Sequence, residues 1–206
     1  MSFFTMAACL AVSYFLGNIQ TGILVGRLTN NIDLRSHGSG SSGATNALRI
    51  LGRQSALQTF AGDCLKGIIA VCFGLLIGGQ NGGMLAGLSV IAGHIWPVLF
   101  HFKGGKGVAT SIGVILCLAP LSYALIAIIA GIGVFLLTRT VSLASITIIG
   151  LYAVLRIIGA VLSGQWGSFL FAVVMAALVL YAHRENIERL KKGTEGRITR
   201  EMFERK

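Results

Sequence analysis

Five stretches of the chain, residues 2–26, 67–102, 107–138, 140–155 and 157–183, contain no Asp, Glu, Lys or Arg. A helix crosses the hydrocarbon of a bilayer in about 20 residues, so these stretches predict membrane spans. Two of them are too long for one crossing. The run 67–102 has a turn signal at Gly78-Gly79-Gln80-Asn81-Gly82-Gly83, and the run 107–138 has one near Pro120, because Gly and Pro interrupt helices. Backbone amides in hydrocarbon must find partners within the chain, which makes helices the expected spanning structure. The pattern therefore predicts an all-α integral membrane protein of about seven transmembrane helices. The spans are placed at 3–26, 55–78, 83–102, 107–119, 121–138, 141–162 and 167–183, in one multispanning domain over 1–206.

Composition agrees: hydrophobic types make up 54% of the 206 residues and charged types only 12%, too little charge to keep a soluble domain of this size dispersed. The cations then orient the bundle. With the N-terminus outside, Arg27, Arg35, Arg49, Arg53, Lys103, Lys106, Arg139 and the short basic tail from Arg184 to Lys206 all fall on the cytoplasmic side, as the positive-inside rule requires. Only Arg156 lies toward the other face, where it is expected to snorkel or to pair with lipid phosphate. The first span has no preceding cation and is read as a retained helix rather than a cleaved signal. The net charge of +10 is explained by this collar and implies no nucleic-acid partner. Cys9, Cys64, Cys72 and Cys117 lack metal-ligand spacing and read as buried small hydrophobes.

Four strings near the cationic face carry candidate chemistry. In the loop 27–53, Gly38, Gly40 and Gly43 fit G-x-G-x-x-G, but no strand precedes them and no βαβ unit surrounds them, so a dinucleotide fold is excluded. A glycine-rich turn still exposes amides that cradle an oxyanion, with Ser39, Thr45 and Arg49 as further donors; the alternative is a flexible connector. In GDCLKG, residues 62–67, Asp63 and Lys66 share a helix face at i and i+3, either as a structural ion pair or with Lys66 on a substrate. In residues 93–111, a helix carrying His94 is expected to end near Phe102. Lys103-Gly104-Gly105-Lys106-Gly107 then turns into the next helix and offers a compact anion site. In residues 183–197, His183, Asn186, Ile187 and Leu190 fall on one helix face, so that an imidazole and a carboxamide face the bundle together. His94 and His101 have no metal-ligand cluster beside them.

Together and in this order, GSGSSGATNALR, GDCLKG, GHIWPVLFHFKGGKGVATS and HRENIERL resemble the bacterial acyl-phosphate:glycerol-3-phosphate acyltransferase family, the PlsY type, over most of the chain. The resemblance implies an inner-membrane enzyme that acylates the 1-position of glycerol 3-phosphate from acyl phosphate. Its product is lysophosphatidic acid, the first intermediate of bacterial phospholipid synthesis. Residue by residue, it implies roles for Ser39 and Arg49 in a first motif that also holds Gly38, Gly40, Gly43, Thr45 and Asn46. It further implies glycerol-3-phosphate binding around Lys103 to Gly107, roles for His183 and Asn186, and an acidic position at Glu195. Ser41 stands where the family usually has Asn, and Asn18-Ile19-Gln20 replaces a Ser-Ile-Pro-like segment.

Acyl phosphate is a mixed anhydride with a good leaving group, so positioning and charge stabilisation suffice and no metal or organic cofactor is implied. The expected partners are the two substrates, the bilayer and a soluble enzyme that makes acyl phosphate. A transporter for an organophosphate is the rival class, as is a lipid-binding subunit. The motifs crowd one face, whereas transport needs polar groups near the midplane with access from both sides.

Overall fold

The computed structural model describes residues 1–118, 120–199 and 201–202; the expected end of the fourth span at Ala119 and the tail positions 200 and 203–206 lie outside the described residues. The described chain is all helical: α1 (Phe3–Gly17), α2 (Thr21–Asn30), α3 (Ala44–Leu51), α4 (Arg53–Ile95), α5 (Val108–Leu118), α6 (Leu121–Thr138), α7 (Val141–Ser163), α8 (Trp166–Ala182) and α9 (Arg184–Lys191), with short 3-10 turns at Leu34–Ser36 and Val98–Phe100. Among the described residues four stretches are long and apolar enough to cross a membrane: Phe3–Asn30, Arg53–Phe100, Leu121–Thr138 and Val141–Ser163. The bent pair α8 and α9 gives a fifth if it is counted as one span, and α5 is a shorter apolar helix.

The 43-residue α4 is two arms rather than one rod. Gly79 takes φ 57 and ψ −153, open only to glycine, and the chain doubles back there. Gly74 and Gly82 consequently lie face to face, so close that a Cβ on either would overlap the other's carbonyl. Eight positions along an unbroken helix would stand about 12 Å apart. The two arms embrace α1, which runs alongside the second: Ser89 Oγ donates to Leu10 O at 2.6 Å, and the backbones of Gly17 and Gly93 touch. Small residues allow this approach, the usual basis of helix pairing in lipid.

Two expected boundaries are corrected. The first span, placed at 3–26, breaks at Gly17 because Asn18 and Gln20 are buried and occupied elsewhere. Asn18 Nδ2 donates to Tyr14 O at 2.8 Å and its Oδ1 accepts from Leu99 N at 3.0 Å. Gln20 Nε2 donates to His94 O at 3.2 Å, and its Oε1 accepts from Ser42 Oγ at 2.6 Å. The helix carrying His94 ends at Ile95 rather than near Phe102, since Pro97 pushes Trp96 out of the helical region; His101 and Phe102 then take φ 55 and 59.

A continuous apolar core runs through α4, α5, α7 and α8, with Val71, Val90, Val114, Ile149 and Met175 fully buried. Outside it, Leu76, Leu137 and Leu162 are more than four-fifths exposed. Such a surface suits lipid and would be untenable in water. Arg156 finds a protein partner, Ser168 Oγ at 2.8 Å, rather than depending on lipid alone. Among the cysteines only Cys9 is fully buried, and Cys72 is exposed on the apolar surface.

Candidate functional site

The loop after α2 is ordered by one side chain. Asn46, at the start of α3, shares the two protons of Nδ2 among Leu34 O at 3.0 Å, His37 O at 3.0 Å and Ser41 O at 2.9 Å, and accepts Ser39 N–H on Oδ1 at 3.0 Å. Gly38 and Gly40, at φ 60 and 71, supply the left-handed turns that bring those groups around the amide. The loop is pinned to the segment after α4 by Arg35, which donates to Phe100 O at 3.0 Å while pairing with Asp33 at 2.7 Å. The Arg35 guanidinium holds the Asp33 carboxyl down at about 2.

A second group gathers where α8 ends. The chain bends by 64° between α8 and α9, with His183 at the break. Its Nδ1–H donates to Val179 O at 2.8 Å, which assigns the proton to Nδ1 and leaves Nε2 as an acceptor. One turn on, Asn186 Oδ1 accepts from Lys106 Nζ in a very short contact, and Asn186 Nδ2 donates to Glu195 Oε1 at 2.6 Å. Glu195 also accepts from Ser142 Oγ at 2.8 Å and Arg189 Nε at 2.7 Å. Burial opposes ionisation of this carboxyl, but the donors from Arg189, Asn186 and Ser142 prevail and hold it below its usual range. Burial, helped by Arg189 and Arg49, pushes the Lys106 ammonium down to about 8, against the pull of Glu195.

These groups surround one cavity of 360 Å³. Its polar wall includes Ser39, Ser41, Thr45, Arg49, Lys106, His183, Asn186 and Glu195. Its apolar wall lies between helices: Phe60 of α4, Ile112 of α5, Ile132 and Phe135 of α6, and Ile148 of α7. A second hollow of 440 Å³ forms the mouth, shares Arg49 and Lys106 with the first, and adds Gly38, Glu185 and Arg197. Chemically, cations at the second hollow suit an anion and the apolar wall between helices suits a hydrocarbon chain. Among the described residues no three His, Cys, Asp or Glu side chains gather as a metal site.

Of the residues singled out from the sequence, Ser39, Gly43, Thr45, Asn46, Arg49, Lys106, Gly107, His183 and Asn186 line the main cavity. Asn46 does so while its amide is spent on the loop, so it shapes the wall. Six others are placed differently. Gly38 lines only the mouth, and Gly40 lines neither hollow. Lys103 is exposed and outside both. Gly104 and Gly105 press against His94, where a Cβ on Gly105 would overlap the ring, so their smallness serves packing rather than an anion. Lys66 is buried behind the cavity wall. Sequence reasoning missed Arg189, Ser142 and Arg197. Arg189 was within reach, one helical turn from Asn186; Ser142, at the start of α7, carried no signal.

Comparison with known proteins shows the family. Residues 7–193 match the family model described as glycerol-3-phosphate acyltransferase. A glycerol-3-phosphate acyltransferase of Thermoanaerobacter sp. (strain X514) is 44% identical over 190 residues, 91% of this chain and 92% of that one. Another, from Clostridioides difficile (strain 630), is 39% identical over 204 residues, 96% and 98% of the two chains. Two crystal structures of PlsY (YgiH), an integral membrane glycerol 3-phosphate acyltransferase, superpose on this fold. The glycerol 3-phosphate form gives a TM-score of 0.84 at 38% identity, covering 94% of this chain and 96% of that one. The lysophosphatidic acid form gives 0.82 at 36%, covering 96% and 97%. The molecule is thus an integral-membrane enzyme of the acyltransferase class. Within that class, the chain belongs to the glycerol-3-phosphate acyltransferase family.

Proposed function

We propose that this enzyme transfers the acyl group of an acyl phosphate to the 1-hydroxyl of glycerol 3-phosphate, forming lysophosphatidic acid in the first step of bacterial phospholipid synthesis. The observation that carries the reading is a cavity lined both by the cations Arg49 and Lys106 and by apolar side chains of α4, α5, α6 and α7. A phosphate and a fatty chain both find their surroundings in it. Relatives named for glycerol-3-phosphate acylation support the substrate.

In this scheme the cations hold the phosphate groups by charge-assisted hydrogen bonds. His183 Nε2 accepts from the attacking hydroxyl and aims it at the carbonyl carbon, while Asn186 stands beside it bridging Lys106 and Glu195. The hydroxyl oxygen bonds to that carbon, the bond from carbon to the phosphate oxygen breaks, and the hydroxyl proton leaves on a phosphate oxygen. An anhydride needs little activation of its nucleophile, so orientation is the main task of His183. The scheme uses no metal or organic cofactor, and a soluble enzyme supplies the acyl phosphate.

The chain is one multispanning domain of the bacterial inner membrane, N-terminus outside and C-terminus cytoplasmic, with the cationic mouth toward the cytoplasm. Sealed vesicles test both parts. With glycerol 3-phosphate added outside and acyl phosphate in the membrane, inverted vesicles are expected to form lysophosphatidic acid and right-side-out vesicles are not. Net uptake of glycerol 3-phosphate without acylation would overturn the reading in favour of transport.

A further inference from the structure

Behind the cavity wall, Lys66 lies inside the bundle, only 4% exposed. Its Nζ donates to Gly17 O at 3.2 Å, Ile19 O at 2.5 Å and His94 Nδ1 at 2.7 Å. The two carbonyls belong to the break between α1 and α2, where no further helical turn follows to bond them. Asp63, on the same helix face, places a carboxylate oxygen 2.9 Å from the ammonium. An ammonium has three protons to give and no lone pair to accept with, and the two carbonyls, His94 Nδ1 and the Asp63 carboxylate share those protons. Since one proton is given to Nδ1, that nitrogen carries its lone pair and the ring's own proton sits on Nε2.

That Nε2–H has no hydrogen-bond partner among the described residues. His94 nonetheless lines the cavity, as does Asp63, and the ring edge bearing Nε2 lies against Gly105, next to Lys106. Its backbone is fixed as well, because His94 O accepts from both Gln20 Nε2 and Gly105 N. A side chain that lines the cavity while only 3% exposed, locked from behind and with an uncommitted donor beside the Lys106 turn, is arranged for a ligand acceptor. The phosphate-facing wall already has its cations, whereas the carbonyl between phosphate and chain has no donor assigned.

We infer that His94 is a further catalytic residue: a neutral imidazole, held by the Lys66–Asp63 pair, whose Nε2–H donates to the carbonyl oxygen of the acyl donor as it becomes an oxyanion. The inference rests on the acyl-transfer reading above. When the glycerol oxygen bonds to the carbonyl carbon, the C=O π pair moves onto the carbonyl oxygen, where a fixed donor acts most strongly. Collapse re-forms C=O and expels phosphate, which carries away the hydroxyl proton, so His94 keeps its own proton throughout. The ammonium on Nδ1 polarises the ring and strengthens Nε2–H as a donor. Neutral imidazole is a known electrophile toward carbonyls.

Two variants of the purified enzyme separate this role from a structural one. His94→Gln sets a carboxamide nitrogen near the position of Nε2 and keeps a cavity-side donor; His94→Asn keeps a partner for Lys66 but does not reach the cavity. The glutamine enzyme is expected to stay within about tenfold of wild-type kcat. The asparagine enzyme is expected to lose about 10²- to 10³-fold in kcat, with KM for glycerol 3-phosphate within a few-fold. The opposite order, or equal loss in both, overturns the assignment. A wild type that acylates only from a thioester overturns the donor reading alone, because the same oxyanion forms and the pair of variants still decides the role of His94. A wild type with no acyl transfer overturns both.

Discussion

Two lysines that look equivalent in Lys103-Gly104-Gly105-Lys106 have different fates. Lys106 turns into the cavity and bonds Asn186, whereas Lys103 stays at the exposed surface. Sequence spacing placed both beside a helix start and gave no means to choose, because the choice is made by Gly104 and Gly105 settling on His94, a contact from another helical arm. Lys106→Ala is expected to lower turnover by one to two decades, roughly 1.5–3 kcal/mol of a charge-assisted bond, and Lys103→Ala to leave it within about threefold. Similar losses in both would point to general electrostatics. Lys106 also fixes an alkaline limit. It titrates at about 8, the ammonium is the phosphate-binding form, and kcat/KM reports the free enzyme. Thus kcat/KM for glycerol 3-phosphate is expected to fall as pH rises through about 8 in the wild type, and Lys106→Arg to move that fall above pH 10. An unchanged profile in the arginine enzyme would assign the ionisation elsewhere.

At the scale of elements, helices were legible, as were the turns signalled by Gly78–Gly83 and Pro120, but the breaks set by buried polar side chains were not. Uncharged runs located α4 through α8 because lipid imposes a length and a composition on any span. The break at Gly17 was hidden, since Asn18 and Gln20 look like isolated polar residues until Leu99, Ser42 and His94 arrive to bond them. The loop 27–53 read as a glycine-rich anion cradle, with a flexible connector as the alternative, and neither reading showed α3 or the buried Asn46 amide that shapes the loop. Asn46→Ala leaves the carbonyls of Leu34, His37 and Ser41 without that donor. Such losses cost about 1–3 kcal/mol each where they stay buried, less where water reaches them. A melting temperature several degrees lower and a KM for glycerol 3-phosphate raised about tenfold are expected, measured in detergent on protein that elutes as wild type. An unchanged KM would show that the loop holds its shape without Asn46.

Across the whole molecule, helix breaks gather at the cationic end: between α1 and α2, after Ile95, and between α8 and α9. Each exposes backbone groups that a continuous helix would consume, and each places polar side chains at the cavity or just behind it. The opposite end keeps the tight glycine elbow of α4 and the Arg156–Ser168 bond. Each of the four motifs, far apart in the chain, puts at least one residue on the cavity, because a bundle returns its loops to the same face. The closing role of Glu195 was hardly readable, since it depends on the tail folding back so that Ile198 N bonds Arg139 O. On the proposed reading the acyl donor carries a small anionic leaving group, which faces Arg49 and Lys106 of the cavity wall. The most direct test compares donors on the purified protein, with acyl phosphate, acyl-coenzyme A and acyl carrier protein of one chain length, each with glycerol 3-phosphate. We expect lysophosphatidic acid from acyl phosphate at rates at least a hundredfold above either thioester; equal or better turnover of a thioester would contradict the account.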